Sequence, residues 1–278
     1  MTVESLEIPL ATPDGHHWRM LARMPAQPTA AVLWLPALGV AAKHYLPLAD
    51  ALASRGIAVF LHEWRGNGSS NLRPDRAHDW GYRALLQQDI PASHAAMARQ
   101  VGGIPLRLGG HSLGGQLGSC YAALHPKTFA QLWLTASGTP YWRTFPAPTC
   151  WWLPLVYRFL PWLAAVRGRL NGRRVGFGGF EARSLIRDWA RVGLSGRYAV
   201  AGLDVDLEAA LAQLRLPVRA VVLSGDWLAP ERSTRALITK MAPLSTTLVQ
   251  LDGNQLGTTP DHFAWMKQPT AVADALLG

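Results

Sequence analysis

Short apolar runs alternate along most of this chain with longer stretches in which apolar positions recur every three or four residues. Ala31–Leu35, Ile57–Leu61, Ile104–Leu108, Phe129–Thr135, Val218–Leu223 and Thr246–Leu251 read as strands. Continuous runs such as Ala31–Leu35 are what a strand buried on both faces requires. Between the strands, Tyr45–Arg55, Tyr82–Gln100, Leu117–Leu124, Glu231–Met241 and Phe263–Leu277 carry helical patterning. The first of these stops at Gly56, and Pro91 kinks or restarts the second. At the start, Val3–Leu10 and His16–Met24 flank Pro13-Asp14-Gly15, a hairpin signal. Strands that alternate with helices predict an α/β fold with a parallel, doubly wound sheet.

The alternation stops near Tyr141 and resumes at Val218. An interruption of about 70 residues is too long for a plain connection. It predicts an inserted, mainly helical cap over 138–211, carried by a core made of 1–137 and 212–278. Trp142, Trp151, Trp152 and Trp162 cluster there with Leu153, Leu155, Phe159, Leu160 and Leu163. These side chains either pack the cap onto the core or form an apolar filter over a site beneath it.

Composition narrows the field. The chain has 278 residues, 49% of them hydrophobic, enough for one large α/β domain or two small ones. The longest apolar stretch, Trp151–Val166, has 16 residues, contains Pro154 and Pro161, and is broken by Arg158. A spanning helix needs about 20 apolar residues, so none is expected. Met1–Glu7 carries two acids and no base, unlike a secretory signal. Cys120 and Cys150 are the two cysteines, too few for a disulfide framework or a Cys-rich metal site, which fits a cytoplasmic protein. No His-rich ligand spacing points to a metal either. The net charge is +9, and Gly138–Val200 holds ten arginines against two acids, Glu181 and Asp188. No nucleic-acid-binding motif accompanies this charge, so a nucleic-acid partner is not expected. A solvated basic face accounts for it, with peripheral contact to an anionic membrane through the cap as the rival account.

The chemistry centres on Gly110-His111-Ser112-Leu113-Gly114-Gly115, a G-x-S-x-G set between a strand and a helix. A serine on such a turn stands clear of the backbone, ready to attack a carbonyl. It needs a base to take its proton and an acid to orient the base. His262 is the leading base, late in the chain and in a loop, and Asp226 is the leading acid, just beyond a strand's carboxyl end. Asp252 and Asp261 are the alternative acids, and His111 a weaker alternative base. Asp226 is also read as a turn or capping residue. Negative charge on the carbonyl oxygen needs backbone donors. The Leu113 amide is one, and the second comes from Pro36-Ala37-Leu38-Gly39, with Leu38 preferred over Ala37.

The order of elements, Gly110–Gly115, Glu63–Ser70 and Gly225–Pro230 resemble the α/β-hydrolase superfamily. More narrowly, Leu35–Gly39, Gly176-Phe177-Gly178-Gly179 and Asp188-Trp189-Ala190-Arg191 are similar to a bacterial group of predicted serine hydrolases near the monoacylglycerol lipase-like branch. The resemblance implies a mostly parallel eight-stranded sheet with a cap, and a Ser–Asp–His hydrolase that needs no cofactor and commonly acts on carboxylic esters. Three positions depart from the pattern: Pro36-Ala37 replaces His-Gly, Glu63 replaces aspartate, and Asp261 replaces the glycine before the histidine. The expectation is hydrolysis of an apolar small-molecule ester through an acyl-enzyme on Ser112. Acyl transfer on the same residues and a non-catalytic binding module are the rivals.

Overall fold

A computed structural model describes residues 2–174 and 178–278, so Gly176 and Phe177 of the glycine-rich motif lie outside the described residues. The chain opens with β1 (Val3–Ala11), β2 (His17–Pro25), β3 (Ala30–Leu35), α1 (Leu46–Ala53) and β4 (Ile57–Leu61). After a loop come α2 (Tyr82–Ala84), a π turn over Leu85–Asp89, and α3 (Ile90–Val101), then β5 (Leu106–His111), α4 (Leu113–Leu124) and β6 (Gln131–Thr135). An inserted stretch carries α5 (Thr149–Arg167), β7 (Arg169–Asn171), β8 (Phe180–Ala182), α6 (Arg183–Ser195) and α7 (Leu207–Gln213). The chain closes with β9 (Val218–Leu223), α8 (Glu231–Ile238), β10 (Thr246–Leu251), α9 (Gly253–Leu256) and α10 (Thr270–Leu277).

Eight strands form one sheet in the order β1-β2-β4-β3-β5-β6-β9-β10. β2 runs antiparallel to both its neighbours, and every other pairing is parallel. In β3 the period-two alternation divides a fully buried strand between two cores. Ala31, Leu33 and Leu35 meet Met97, Leu117 and Tyr121 on one face. Val32 and Trp34 meet Leu48, Leu52 and Leu276 on the other. Helices therefore cover both faces, as a parallel sheet demands. α7 returns from the insertion to pack on α4.

Where elements differ from the sequence pattern, proline and glycine explain the difference. β5 starts after Pro105, which has no N–H for the ladder, and runs on through Gly109 and Gly110 to His111. α4 then begins directly after Ser112 rather than at Leu117. Pro91 sits at the restart of α3 after the π turn. The final helix is split: a 3₁₀ turn spans Ala264–Lys267, Gln268 leaves the helical region at φ −132°, and Pro269 precedes α10. Glu63 takes the structural place expected of it, accepting the Ala42 and Ser69 N–H groups.

The topology fixes where a site can lie. β3 is flanked by β4 on one side and β5 on the other, so the chain leaves β3 one way and later returns to its opposite edge. The loops beyond the carboxyl ends of β3 and β5 diverge there and leave a crevice.

Candidate active site

Ser112 adopts φ 54° and ψ −119°, a conformation that L-residues avoid at a cost of about 1–3 kcal/mol. The surroundings enforce it. Its N–H donates to Thr135 O (3.2 Å), and its carbonyl accepts from Gly115 N (3.1 Å), Gln116 N (3.2 Å) and Ser137 Oγ (2.7 Å). A Cβ on Gly114 would lie 2.0 Å from Leu35 O, and one on Gly110 2.3 Å from the Gly114 carbonyl carbon. Glycine at these positions lets β3, β5 and α4 approach closely enough to form the turn.

The two other leading residues come together as the sequence pattern proposes. His262 Nδ1 lies 2.7 Å from Asp226 Oδ2, and both side chains are buried. Asp226 Oδ1 accepts the N–H groups of Leu228 (2.9 Å) and Ala229 (3.1 Å), so the turn role and the histidine-partner role coexist in one carboxylate. Gly225 N–H donates to Pro260 O at 3.0 Å, which ties the loop of the aspartate to the loop of the histidine. The alternative acids are engaged elsewhere. Asp252 forms a capping box with Gln255 on α9, and Asp261 accepts the Phe263 and Ala264 N–H groups.

His111 is held as a structural residue. It is fully buried, its Nδ1 lies 2.8 Å from Tyr45 Oη, and burial, then the neighbouring His262, push its pKa well below the ordinary value. Tyr45 Oη also accepts the Ala37 N–H at 2.8 Å. That bond occupies the Ala37 amide and leaves Leu38 as the next amide in the loop.

Ser112 and His262 face one cavity of about 340 Å³, with Leu38 and Leu113 beside them. Its walls are mainly apolar: Leu153, Val156 and Leu160 from α5, Trp189 from α6, and Phe145 and Trp227 from loops. Trp227, next to Asp226, is a lining residue that motif reasoning missed. Its only sequence signal is its place inside Gly225–Pro230. Trp152 and Trp227 stand with ring centroids 6.2 Å apart at the exposed side.

A second buried histidine–carboxylate pair left no mark in the sequence pattern. His16 Nδ1 lies 3.2 Å from Asp89 Oδ1, and His16 Nε2 lies 3.1 Å from Ser70 Oγ. All three side chains are buried, Asp89 is gripped by Arg65 through two bonds, and Ser70 Oγ accepts the Gly66 and Leu72 N–H groups. His16, Asp89 and Ser70 brace the loop after β4, and none of the three lines the cavity that Ser112 and His262 face. Also among the described residues, no group of three His, Cys, Asp or Glu side chains is arranged to hold a metal ion.

In the loop after β3, Gly39 packs on Gly179, against whose nitrogen a Cβ on Gly39 would collide at 2.0 Å. Gly179 N–H in turn donates to the buried Glu181 carboxyl at 2.7 Å. Burial pushes that carboxyl up to about 7, against the opposing effect of the Gly179 bond.

The comparisons agree with this architecture. A family model described as serine aminopeptidase, S33 matches residues 26–254. The sequence matches none of the curated proteins. Among solved structures, a hydrolase from Pseudomonas aeruginosa superposes with a TM-score of 0.61 at 19% identity, covering 98% of this chain and 97% of that one. Est1E from Butyrivibrio proteoclasticus gives 0.63 at 14% identity, covering 97% of each. The esterase domain of a Rhodothermus marinus protein gives 0.63 at 17%, covering 99% of this chain and 96% of that one. At these identities the likeness is one of fold.

Proposed function

As a member of the serine aminopeptidase S33 family this chain is an α/β-hydrolase, and we propose that it hydrolyses carboxylic esters of apolar acids through an acyl-enzyme on Ser112. Ser112 Oγ attacks the ester carbonyl carbon while its proton passes to His262 Nε2, the ring nitrogen not engaged by Asp226. Asp226 fixes the tautomer that makes this transfer feasible and stabilises the imidazolium. The oxyanion receives the N–H groups of Leu113 and Leu38. Collapse expels the alcohol, which takes the proton from His262. A water then attacks the acyl carbonyl, giving its proton to His262, and the acid departs as Ser112 regains a proton.

The observation that carries this reading is the buried 2.7 Å bond between His262 and Asp226, with His262 sharing one apolar cavity with a strained serine. In this reading the insertion between β6 and β9 acts as the cap, and α5 and α6 supply the wall that selects apolar acyl groups and excludes water. That the Rhodothermus marinus neighbour is an esterase domain, and that Est1E is solved with ferulic acid bound, supports an ester substrate. The test is Ser112→Ala. Turnover of a medium-chain nitrophenyl ester and labelling by a fluorophosphonate are both lost, with circular dichroism unchanged. A variant that retains the rate would falsify the assignment.

A further inference from the structure

α5 has two unlike long faces, and both are apolar. Leu153, Tyr157, Leu160 and Ala164 are buried against the rest of the protein. Trp151, Leu155, Phe159, Trp162 and Val166, spaced by four, four, three and four residues, are each more than half exposed. Such spacing puts these five on a single stripe. A stripe of two tryptophans, a phenylalanine and two aliphatics in water is an unusual surface for a soluble monomer.

Charge says what covers it. Glu181 and Asp188, the two acids between Gly138 and Val200, are both buried, so the exterior of that segment is charged by arginine alone. At the C-terminal end of the stripe, Leu163, Arg167, Arg169, Asn171, Arg174 and Phe180 line an open cleft of about 430 Å³. Arg169 stacks over Phe180 at 4.3 Å, and none of these three arginines has a carboxylate partner among the described residues. An adjoining cleft contains Arg76 and one exposed carboxylate, Asp75, whose Oδ1 accepts the Ala77 and His78 N–H groups.

We propose that this face of α5 lies on an anionic lipid bilayer, with the apolar stripe at the acyl boundary and the cleft arginines among the headgroups. Tryptophans beside arginines match the chemistry of that boundary. A second copy of the chain is the poorer occupant: a parallel pairing sets arginine against arginine, and an antiparallel one offers the cleft arginines no exposed acid from this segment. Among the described residues no helix is long and apolar enough to cross a membrane, and the inner face of α5 is committed to protein, so the helix rests on the surface. The face also reaches the cavity mouth: Phe159 and Trp152 are exposed and line the cavity. A docked molecule would open its cavity toward the lipid.

The surface stands without the catalytic reading, and its test reads binding. Sedimentation is measured with vesicles of phosphatidylcholine, alone or mixed with phosphatidylglycerol. The full chain is expected to prefer the mixed vesicles by roughly fivefold for each arginine engaged, with the preference falling as salt rises. Arg167→Glu with Arg169→Glu abolishes the preference. Trp151→Ser, Leu155→Ser and Trp162→Ser combined abolish binding, while the melting temperature and turnover of a soluble short ester stay unchanged. Ser112→Ala binds as the parent does. Absence of binding to either vesicle, or binding that survives the triple variant, overturns the proposal. So does a concentration-dependent dimer in analytical ultracentrifugation that the triple variant abolishes, because the face would then belong to a second copy.

Discussion

Tyr45 Oη accepts the Ala37 N–H at 2.8 Å. The same oxygen meets His111 Nδ1, so one phenol links the loop after β3 to the turn that carries Ser112. Tyr45→Phe leaves a buried amide without an acceptor, a loss of about 1–3 kcal/mol. The Leu38 amide, one residue on, then loses its support. The expected outcome is a lower melting temperature and a kcat reduced by roughly tenfold with KM little changed. That is less than the 10²–10³ seen when an oxyanion donor is removed outright. Steady-state kinetics of ester hydrolysis checks it, and an unchanged kcat removes Tyr45 from the site's support.

Asp226→Asn tests the orientation of His262. Two backbone amides already bind Oδ1, so an asparagine keeps its carbonyl there and turns its NH₂ toward His262 Nδ1. The imidazole then carries its proton on Nε2 and cannot accept one from Ser112. A kcat loss on the order of 10³–10⁴ with a near-normal fold is expected, measured by stopped assays and thermal unfolding.

Ser70→Ala separates the His16–Asp89 pair from the His262–Asp226 pair. Removing Oγ strands the Gly66 and Leu72 amides and His16 Nε2, which costs about 1–3 kcal/mol in urea unfolding. Ester turnover below the unfolding transition remains that of the parent, and fluorophosphonate labelling is undiminished.

Glu181→Gln reads the buried carboxyl through pH. An unfolded glutamate releases its proton near 4.5, and the folded one at about 7. Between these values the folded state alone holds the proton, so stability is full below the lower value and falls as pH rises through the window. The loss amounts to roughly 3 kcal/mol by linkage. Glutamine can still accept the Gly179 N–H and does not titrate. Urea unfolding at about pH 5 and about pH 8 should therefore show the parent losing stability relative to the variant; parallel profiles would place the carboxyl in a wetter setting than its burial implies.

The parts legible in the sequence are those governed by local rules. Thr246–Leu251 and Val218–Leu223 fall where alternation and flanking turns put them. Ser112 is readable because a turn this tight needs glycines at fixed spacing, Asp226 because it follows a strand, and His262 because it lies late in the chain in a loop. The bond from Tyr45 to His111 spans 66 residues and leaves no local mark. Trp227 gives no signal that distinguishes a wall of the cavity from a core aromatic. The split before α10 runs against the continuous helix read over Phe263–Leu277, because the effect of Pro269 on Gln268 outweighs the helical pattern around it.

Two buried histidines of this chain each meet a carboxylate, His262 beside Asp226 and His16 beside Asp89, and of the two His262 lines the cavity that Ser112 also lines. At Ser70 the oxygen's lone pairs are already occupied by neighbouring amides, so no electron pair is idle to start a reaction. A match of residue types does not by itself tell the two apart: what differs is the open volume beside His262 and Ser112.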